Sequence, residues 1–573
     1  MFFPRLTAPA LRRTAVTAFA GYDRRTPLQP GAFAHTENLC ADGWPALTVR
    51  PRRAVAATLH RPNGLTAKDA LIWVDGGTLY INGLATGLQL TDGPKQLVGM
   101  GAYLVIWPDK MYIDTARLSD FGPLERTVTT SASVSWAPCR ADGAALTYAS
   151  GAAEPAGPRI GALWLDTGVS PAVLRQYGAD GWQTLADTYT ALRCPGIGAG
   201  FSAGDAVDIS GCAAEELNGS FLLQSVADDA LVVAALAEAG SQSGAVTVSR
   251  TVPDMDYVVE CGNRLWGCKY GLADGKTVNE IYASKLGDFK NWRVFQGLST
   301  DSYAAGRGSD GAFTGAAAYL GSPLFFKEHC IERVYPEASG AHQIVTLQCD
   351  GVKQGSAASL QVVDGTLYYH GVHGVCAFSG SLPSPVSAAL GDTVYHGAVA
   401  GAWRGQYWVS MADESGAWHL LVYDVRRRLW HRQDATRAAA FAAADGELYC
   451  LEGDTGRLLA LHGLAGTPEE GSVRWAAESG DLGLTEDRSR YLQRLTVHAS
   501  VPAGASVTAA VSYDGGETWE SQGTVTGGGA AAQRALLHVR PRRCERLRLR
   551  LSGTGAVKVY SLTALYGKGS DGP

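Results

Sequence analysis

The chain has 573 residues, of which 46% are hydrophobic and 18% are charged, and its formal net charge is −6. This length exceeds what one hydrophobic core supports, so about two to four domains are expected. The composition excludes a disordered chain and a coiled coil, and the mild acidity excludes a protein that grips nucleic acid over a broad basic face.

The N-terminal segment shows no targeting signal. Residues 1–20 are interrupted by Arg5, Arg12 and Arg13, and no run in the chain approaches the ~18 apolar residues that span a bilayer. We therefore expect residues 1–40 to form an N-terminal arm, and we expect no membrane-spanning segment.

A repeated hairpin is the strongest internal signal. At 72–80, 362–368 and 443–449 an apolar run is followed by Asp-Gly and, one or two residues later, by Leu-Tyr. Asp-Gly supplies the positive φ of a tight turn, and Leu-Tyr begins the returning strand. Four weaker units lie between these copies, at Leu97–Ile113, Tyr257–Phe295, Phe313–Tyr335 and Tyr395–Trp430. About seven units of roughly 40 residues predict an all-β chain built on a β-propeller of about seven blades.

Two segments break this rhythm. The segment 159–252 interrupts the repeat after the second unit, and its short, Gly-bounded strands predict a small β-barrel or sandwich inserted in a blade loop. The propeller is accordingly predicted in two parts, 41–158 and 253–466. In the segment 467–573 the strands lengthen, which predicts a C-terminal β-sandwich.

One turn in the predicted sandwich fits the Asp-box pattern S-x-D-x-G-x-T-W. Its residues are Ser512, Asp514, Gly516, Thr518 and Trp519. In such a turn the Ser and Asp side chains bond the backbone and the Trp packs beneath, so we predict a structural role. The pattern is frequent in sialidases and other carbohydrate-active propellers, and a glycan-linked role is the alternative. A sialidase also needs an arginine triad and a Tyr/Glu nucleophile pair, which the sequence alone does not assemble.

A strict Arg/Leu alternation near the C-terminus predicts a two-faced strand. Arg546, Arg548 and Arg550 share one face, and the intervening Leu residues point into the core. The arginine face is either solvated, or it contacts a neighbouring subunit, or it contacts DNA.

The sequence contains no recognisable catalytic or metal-binding motif. It has no P-loop, HExxH, GxSxG or EF-hand pattern, and its 11 Cys residues include no CxxC and no zinc spacing. We therefore predict no enzyme activity, no catalytic residue, no metal and no cofactor.

One predicted blade resembles a blade of tailed-phage virion proteins. The residues that carry the resemblance are Asn263-Arg264-Leu265-Trp266, Glu280-Ile281-Tyr282-Ala283, Asn291-Trp292, and the continuations at 297–303 and 321–327. Val422-Tyr423-Asp424 ahead of Leu429-Trp430-His431, and the Arg-Pro-Arg-Arg-Cys run at 540–544, are similar to the same group. The group comprises the tail hub, nozzle and packaged-DNA stabilisation β-propeller proteins of short-tailed bacteriophages.

This resemblance implies a structural virion protein that is made in the host cytoplasm and assembled into the phage tail. It implies a ring of copies of the chain, a hexamer, below the portal. Double-stranded DNA would pass transiently and non-specifically through the conduit, and the ring would help retain packaged DNA until ejection. The neighbouring proteins would be the portal or adaptor and the fibre or needle.

The alternative is a carbohydrate-binding or glycan-active propeller, either for host-receptor recognition or sialidase-like. The Asp-box pattern and the 14 Trp residues suggest it.

Overall fold

The computed structural model describes residues 11–273, 275–483, 490–529 and 533–568. Within these ranges the regular structure is β-strand, with three short 3-10 turns and no α-helix, so the predicted all-β class is confirmed. No helix in the described ranges is long and apolar enough to cross a membrane.

Six short strands precede the first blade. They are β1 (Arg12–Val16), β2 (Gly21–Tyr22), β3 (Ala32–Glu37), β4 (Leu39–Cys40), β5 (Leu47–Val49) and β6 (Ala54–Thr58).

The first two blades are four-stranded antiparallel meanders. Blade one consists of β7 (Pro62–Lys68), β8 (Ala70–Asp75), β9 (Thr78–Ile81) and β10 (Leu84–Gln89), and blade two of β11 (Gln96–Met100), β12 (Tyr103–Trp107), β13 (Met111–Asp114) and β14 (Phe121–Pro123).

The inserted region begins earlier than predicted, at Arg126 instead of residue 159. Its first strand pairs with its last, with Arg126 opposite Arg250, so the region leaves the ring after blade two and returns to it before blade three at the same place. Such a pairing across more than a hundred residues leaves no local mark in the sequence. The strands are β15 (Arg126–Thr129), β16 (Val134–Cys139), β17 (Ala149–Gly151), β18 (Leu163–Asp166), β19 (Val173–Gly178), β20 (Gly181–Thr184), β21 (Tyr189–Arg193), β22 (Ala206–Ser210), β23 (Gly219–Ala227), β24 (Ala230–Val233), β25 (Gly240–Gln242) and β26 (Thr247–Arg250).

This inserted region holds two sheets. One has eight strands, in the order β15-β26-β22-β23-β24-β21-β16-β25, and it surrounds its own apolar core. The other is the small sheet β17-β18-β19-β20, which is nested between β16 and β21.

Five further blades follow the inserted region. Their strands are β27 (Tyr257–Glu260), β28 (Leu265–Ala273), β29 (Lys276–Ala283) and β30 (Tyr303–Gly306); β31 (Gly315–Tyr319), β32 (Ser322–Phe326), β33 (Cys330–Tyr335) and β34 (Gln343–Gln348); β35 (Gln361–Val363), β36 (Thr366–Gly371), β37 (Gly374–Phe378) and β38 (Ser384–Pro385); β39 (Tyr395–Trp403), β40 (Gln406–Asp413), β41 (Trp418–Asp424) and β42 (Leu429–Arg432); and β43 (Ala438–Ala444), β44 (Glu447–Glu452) and β45 (Arg457–Ala460).

The seven blades close into a ring, which confirms the predicted propeller of about seven blades. The innermost strands of successive blades contact one another, directly or through the 3-10 turn Ala357–Ser359, and β43 of blade seven packs on β7 of blade one. Blade seven takes its outer strand from the N-terminal segment, where β6 pairs with β45 and Ala54 lies opposite Ala460. The ring is therefore fastened by chain segments about 400 residues apart.

The repeated hairpins use two kinds of turn. In the second and third copies Asp364-Gly365 and Asp445-Gly446 are both left-handed, which is the backbone of a two-residue type I′ turn. In the first copy Asp75 still belongs to the strand, opposite Thr78, and Gly76-Gly77 makes the turn.

The C-terminal strands complete the chain. They are β46 (Thr467–Pro468), β47 (Arg474–Ser479), β48 (Leu482–Gly483), β49 (Arg490–Val501), β50 (Ser506–Ser512), β51 (Glu520–Thr526), β52 (Gln533–Val539), β53 (Arg546–Thr554) and β54 (Lys558–Lys568).

The N-terminal segment is not a separate arm, as predicted for 1–40, but part of the C-terminal sandwich. The strands β1 and β5 pair with β54, and β4 pairs with β5. Phe19, Phe33, Leu39 and Leu47 fill the same core as the inward residues of β49, β50 and β53. The propeller accordingly starts with β6 and not at residue 41. Pairing between the two ends of a chain has no signature in local sequence, which is why the prediction missed it.

Blade six and the sandwich share one continuous sheet of 11 strands. Ten of its strands follow the order β39-β40-β41-β42-β2-β3-β47-β53-β50-β51, and β48 pairs with β53. Tyr22 of β2 lies opposite Trp430 of blade six, and Phe33 of β3 lies opposite Ser479 of the sandwich. The backbone hydrogen bonds of one sheet thus join the propeller to the sandwich.

Candidate functional site

The side chains of the Asp-box turn make their hydrogen bonds mainly within the turn. Ser512 Oγ donates to Asp514 Oδ1 at 2.6 Å and accepts from the Gly516 backbone N–H at 2.8 Å. Asp514 also accepts from the Thr518 N–H at 3.0 Å, and Trp519 Nε1 donates to the Gly516 carbonyl at 3.0 Å. Hydrogen bonds from Ser512 and then Thr518 lower the pKa of Asp514. The polar groups of these side chains therefore stabilise the turn.

The predicted arginine face is largely neutralised within the chain. Arg548 Nε donates to Asp481 Oδ1 at 2.8 Å, and Arg550 Nη2 lies 2.7 Å from Glu478 Oε1. Arg546 is the most exposed of the three, with 76% of its side chain accessible and Asp481 at 3.8 Å. A contact of this face with a subunit or with DNA stays a prediction.

Arg550 also connects this face to the Asp-box turn. Its guanidinium lies 3.9 Å from the centre of the Trp519 ring, a cation–π contact. The sequence treated these as two separate features, whereas β50 and β53 are neighbours in the sheet and bring them together.

The innermost strands of the seven blades are rich in small and apolar residues. The seven innermost strands, all within the described ranges, carry one acidic residue between them, Glu260. Its Oε1 accepts a hydrogen bond from the Asn263 N–H at 2.8 Å. Hydrolysis of a glycosidic bond usually needs two carboxyl groups, and these strands do not supply such a pair.

A polar pocket of about 250 Å³ opens between blades six and seven. Trp403 and Gln406 come from the β39–β40 hairpin, Asp424 from the end of β41, His462 from the segment after β45, and Asp42 from the N-terminal segment. We call this cavity the polar pocket.

The β39–β40 turn shapes one wall of the polar pocket. Arg404 and Gly405 are both left-handed and form a two-residue turn, which places Trp403 at the mouth. The Arg404 guanidinium lies 4.9 Å from the Trp403 ring centre, and the His462 ring lies 5.4 Å from it.

Two buried carboxylates hold the side chains of Arg427 and His462, which form the floor of the polar pocket. Asp424 Oδ2 accepts from Arg427 Nη1 at 2.6 Å. Glu447 Oε1 lies 3.0 Å from His462 Nδ1. Burial by itself raises the pKa of Glu447, but hydrogen bonds from His462 and from the Leu464 N–H outweigh it and hold the pKa below its usual value.

A small recess lies behind the floor of the polar pocket. Its volume is about 10 Å³, and it shares Asp42, Gln406 and His462 with the polar pocket as lining residues. Its inner wall includes Arg53 and Gln433. This is about the room that one water molecule or one hydroxyl group needs.

Two ion pairs support the inner wall of the recess. Arg50 Nη2 lies 2.6 Å from Glu470 Oε1, and Arg53 Nη1 lies 2.7 Å from Asp434 Oδ2. Burial by itself raises the pKa of Asp434, but the charge of Arg53 and a hydrogen bond from Thr436 outweigh it and lower the pKa. Both carboxylates are therefore ionised at neutral pH.

Several polar atoms around the polar pocket and the recess have no partner in the part of the chain that the structure describes. They are Nε and Nη2 of Arg53, Oε1 of Gln433 and Nε1 of Trp403. Arg53 is 5% exposed and Gln433 is fully buried. All four atoms are buried, so neither the polar pocket nor the recess exposes them to a ligand.

Sequence reasoning missed this pocket because its residues come from segments up to 420 positions apart. The run Arg426-Arg427-Arg428 lies in the turn between β41 and β42, and two of its members line the pocket. Among the described residues no group of three or more His, Cys, Asp or Glu side chains could hold a metal ion.

Comparisons with known proteins find similarity only to solved structures. No protein-family model and no curated protein matches the chain. The exo-β-1,3-galactanase of Phanerochaete chrysosporium is 9% identical with a TM-score of 0.19, and the match covers 54% of this chain and 94% of that one. A glycoside hydrolase family 43 arabinoxylan arabinofuranohydrolase from Bacillus subtilis is 10% identical with a TM-score of 0.17, again over 54% and 94%. PorZ, a surface component of the type-IX secretion system of Porphyromonas gingivalis, is 11% identical with a TM-score of 0.25, over 94% and 85%.

These comparisons correct the prediction that the chain is not an enzyme, because several of the solved structures that it resembles are glycoside hydrolases. The prediction rested on missing local motifs. In a propeller, site residues converge from loops of different blades, so missing motifs exclude nothing. At these identities and TM-scores the likeness carries no argument for a particular activity of this chain.

Proposed function

We propose that this protein is a virion protein of a short-tailed phage tail, in which a ring of copies prolongs the DNA conduit and helps retain packaged DNA. The resemblance of the blade around 263–292 to tail hub and nozzle proteins supports this proposal. The structural observation that carries it is the continuous sheet from blade six to the C-terminal sandwich.

A tail ring must hold its shape while DNA is packed under pressure, and the construction of this chain suits that demand. In a continuous sheet each inner strand is held by backbone hydrogen bonds on both sides, so force on the sandwich passes into the propeller through the sheet. A propeller leaves only short, protected sheet edges.

The inserted region is fastened to blade three by buried polar side chains. Arg250 and Asp205 form a buried ion pair. Asn291 of blade three donates from Nδ2 to Asp205 Oδ1 at 2.9 Å and accepts from the Ala206 N–H at 2.9 Å. The mild net charge of −6 favours passage of DNA without adhesion.

Electron microscopy tests this proposal. Purified protein is imaged by negative stain, alone and after incubation with purified portal or tail complexes of short-tailed phages. We expect rings with a central opening in at least one of the two samples. Monomers alone in both samples would overturn the proposal.

A second candidate function is binding of a host glycan, and the polar pocket favours it. The pocket combines an indole wall with carboxylate, amide, imidazole and guanidinium groups, which together can accept hydrogen bonds from and donate them to the hydroxyl groups of a sugar. A glycan array probed with the labelled protein tests this candidate, and absence of binding above background across the array would overturn it.

A further inference from the structure

We infer that one outer face of the C-terminal sandwich binds double-stranded DNA through its phosphate backbone, without reading its sequence. The face is the side of the sheet β1-β54-β49-β52 that points away from the sandwich core, and we call it the basic sheet face. The inference goes beyond the proposed function, because a single copy of the chain outside any ring would show it. The face belongs to the sandwich and not to the innermost strands of the blades.

The four strands of the basic sheet face carry no acidic residue. They contain seven Lys and Arg residues, in a chain where 55 Asp and Glu residues outnumber 49 Lys and Arg residues. The segments 502–505, after β49, and 555–557, before β54, contain no Asp or Glu either. The net charge of −6 is a total over the whole chain, so it does not reveal this local positive surface.

The strand register places four cations on the basic sheet face, in two rows. Arg13 and Arg494 flank β54 in one row, and Lys558 and Arg534 flank β49 in the other. All four side chains are exposed, and the residues that alternate with them along β49 and β52 point into the sandwich core. The rows are about 20 Å apart, because six residues of β49 separate them.

These four cations have no ion-pair partner in the part of the sandwich that the structure describes. The ion pairs of that part belong to other arginines, namely Arg542, Arg546, Arg548 and Arg550. An exposed cation without a carboxylate beside it leaves its charge available to a ligand, so the basic sheet face attracts a polyanion.

The hydrogen-bonding groups of the basic sheet face favour phosphate over a protein partner. Besides Arg and Lys, the face presents Ser, Thr, His and Tyr side chains from β49, β52 and β54. All of these can donate a hydrogen bond, and the four strands contain no side chain that only accepts. Phosphate oxygens need donors alone, whereas a protein surface presents both donors and acceptors.

Duplex DNA fits this face better than a lipid surface or a single strand. The large apolar side chains exposed on these strands are Leu536 and Tyr560, fewer than the broad apolar face of a membrane-binding surface. The Tyr560 ring already lies 5.4 Å from the His498 ring, so it is no free platform for unpaired bases. Over the ~20 Å between the two rows, a duplex carries about 12 phosphates, which lets both rows engage one molecule.

Fluorescence anisotropy with the full-length protein tests the inference. The probes are two labelled duplexes of unrelated sequence, titrated between about 50 and 200 mM NaCl. We expect equal affinity for both, and a slope of about −3.6 for log K against log [NaCl], because each neutralised phosphate contributes about −0.9. Absence of binding at the lowest salt, or a slope near zero, would overturn the inference.

Three variants locate the site. R494Q and R534Q each remove one cation, from different rows of the basic sheet face. R546Q is the matched control, because Arg546 is 76% exposed on the other sheet of the same sandwich. We expect R494Q and R534Q each to weaken binding at least threefold and to reduce the slope by about 0.9, while R546Q changes neither. Binding that R546Q weakens and the other two leave intact would overturn the site.

Competition identifies the polyanion. The competitors are a single strand of the same length, vesicles that contain phosphatidylglycerol, and poly-L-glutamate. We expect unlabelled duplex to displace the probe at lower concentration than any of them. A competitor that binds more tightly than the duplex would overturn the choice of double-stranded DNA.

The outcomes separate this inference from the proposed tail function. Rings in the electron microscope without DNA binding would keep the tail function and overturn the DNA site. DNA binding by a protein that forms no ring in either sample would keep the site and overturn the tail function.

Discussion

At the scale of single residues, the junction of N-terminal segment, blade six and blade seven depends on buried charge. Arg50 is 6% exposed, bonds Glu470 through two nitrogens and donates to Asn38 Oδ1 at 2.7 Å. Removing one member of such a pair leaves an uncompensated charge in a buried place.

We therefore predict that Arg50→Met lowers the free energy of unfolding by about 3 kcal/mol. Chemical denaturation of the purified variant measures this change. Arg61→Met is the control, because Arg61 is 72% exposed in its pair with Asp92 and solvent screens that pair. Equal effects of the two substitutions would contradict the buried network.

Two buried histidines predict a loss of stability in mild acid. Burial lowers the pKa of His370 to about 4, helped by the charge of Lys353, and burial lowers the pKa of His431 to about 4. Between pH 6.5 and 4 the unfolded chain binds protons on these rings that the folded chain excludes. The free energy of unfolding therefore decreases as the pH is lowered through this window, by up to about 1.4 kcal/mol for each histidine and each pH unit.

Thermal unfolding at pH 7, 6 and 5 checks this expectation, and the melting temperature should fall at each step. His373→Asn serves as the control, because the His373 side chain is 75% exposed and its loss should leave the slope unchanged. A melting temperature that is flat from pH 7 to pH 5 would contradict the neutral burial of the two rings.

At the scale of elements, the Asp-Gly hairpins are sensitive at the glycine. Gly446 has a φ of +78°, in the left-handed region that favours glycine. We predict that Gly446→Ala destabilises the protein by about 1 kcal/mol. Gly306→Ala is the control, because an added Cβ at Gly306 meets open space and the backbone there is not left-handed. Chemical denaturation of both variants measures the change in stability. A Gly446→Ala variant that is as stable as the unmodified protein would contradict the turn geometry.

The N-terminal segment and the C-terminal strands form one folding unit. Phe19, Phe33, Leu39 and Leu47 are each at most 3% exposed in the sandwich core. We predict that a fragment of residues 467–573 is unfolded by circular dichroism when expressed alone and folds when co-expressed with residues 1–53.

The inserted region provides the comparison for that fragment. Residues 126–250 have their own apolar core and should fold alone. A folded, cooperatively melting 467–573 fragment without the N-terminal segment would contradict the shared core.

The sequence made the blades predictable and the junctions unpredictable, for one physical reason. A blade is a meander of strands that are neighbours in the chain, so its turns leave a local pattern. Asp364-Gly365 and Asp445-Gly446 are such turns, and they predict the hairpins that they connect. The pairing of Arg126 with Arg250, and of Leu47 with Val559, joins strands that are far apart in the chain and carries no local pattern.

The candidate site shows the same limit more strongly. The Asp-box turn is local, and Ser512, Asp514 and Trp519 were found from spacing alone. The partners of Arg548 and Arg550 lie 67 and 72 positions earlier, at Asp481 and Glu478, so their neutralisation was invisible. The polar pocket is formed by blade six, the segment after β45 and the N-terminal segment, and no single one of these indicates it.

At the scale of the whole molecule, two kinds of junction hold the propeller to its added parts. The sandwich is joined to blade six by a continuous sheet, and the inserted region is joined to blade three by a buried polar cluster around Asp205. A body built in this way keeps its added surfaces in fixed positions, which is what assembly into a ring requires.

Single-particle cryo-electron microscopy of the purified protein tests this central claim most directly. We predict a seven-bladed ring in which the sandwich is resolved as sharply as blade six, with strand density running without a break from one to the other. Sandwich density that is smeared or absent while the blades are sharp would contradict the continuous sheet, and with it the rigid platform on which the proposed function depends.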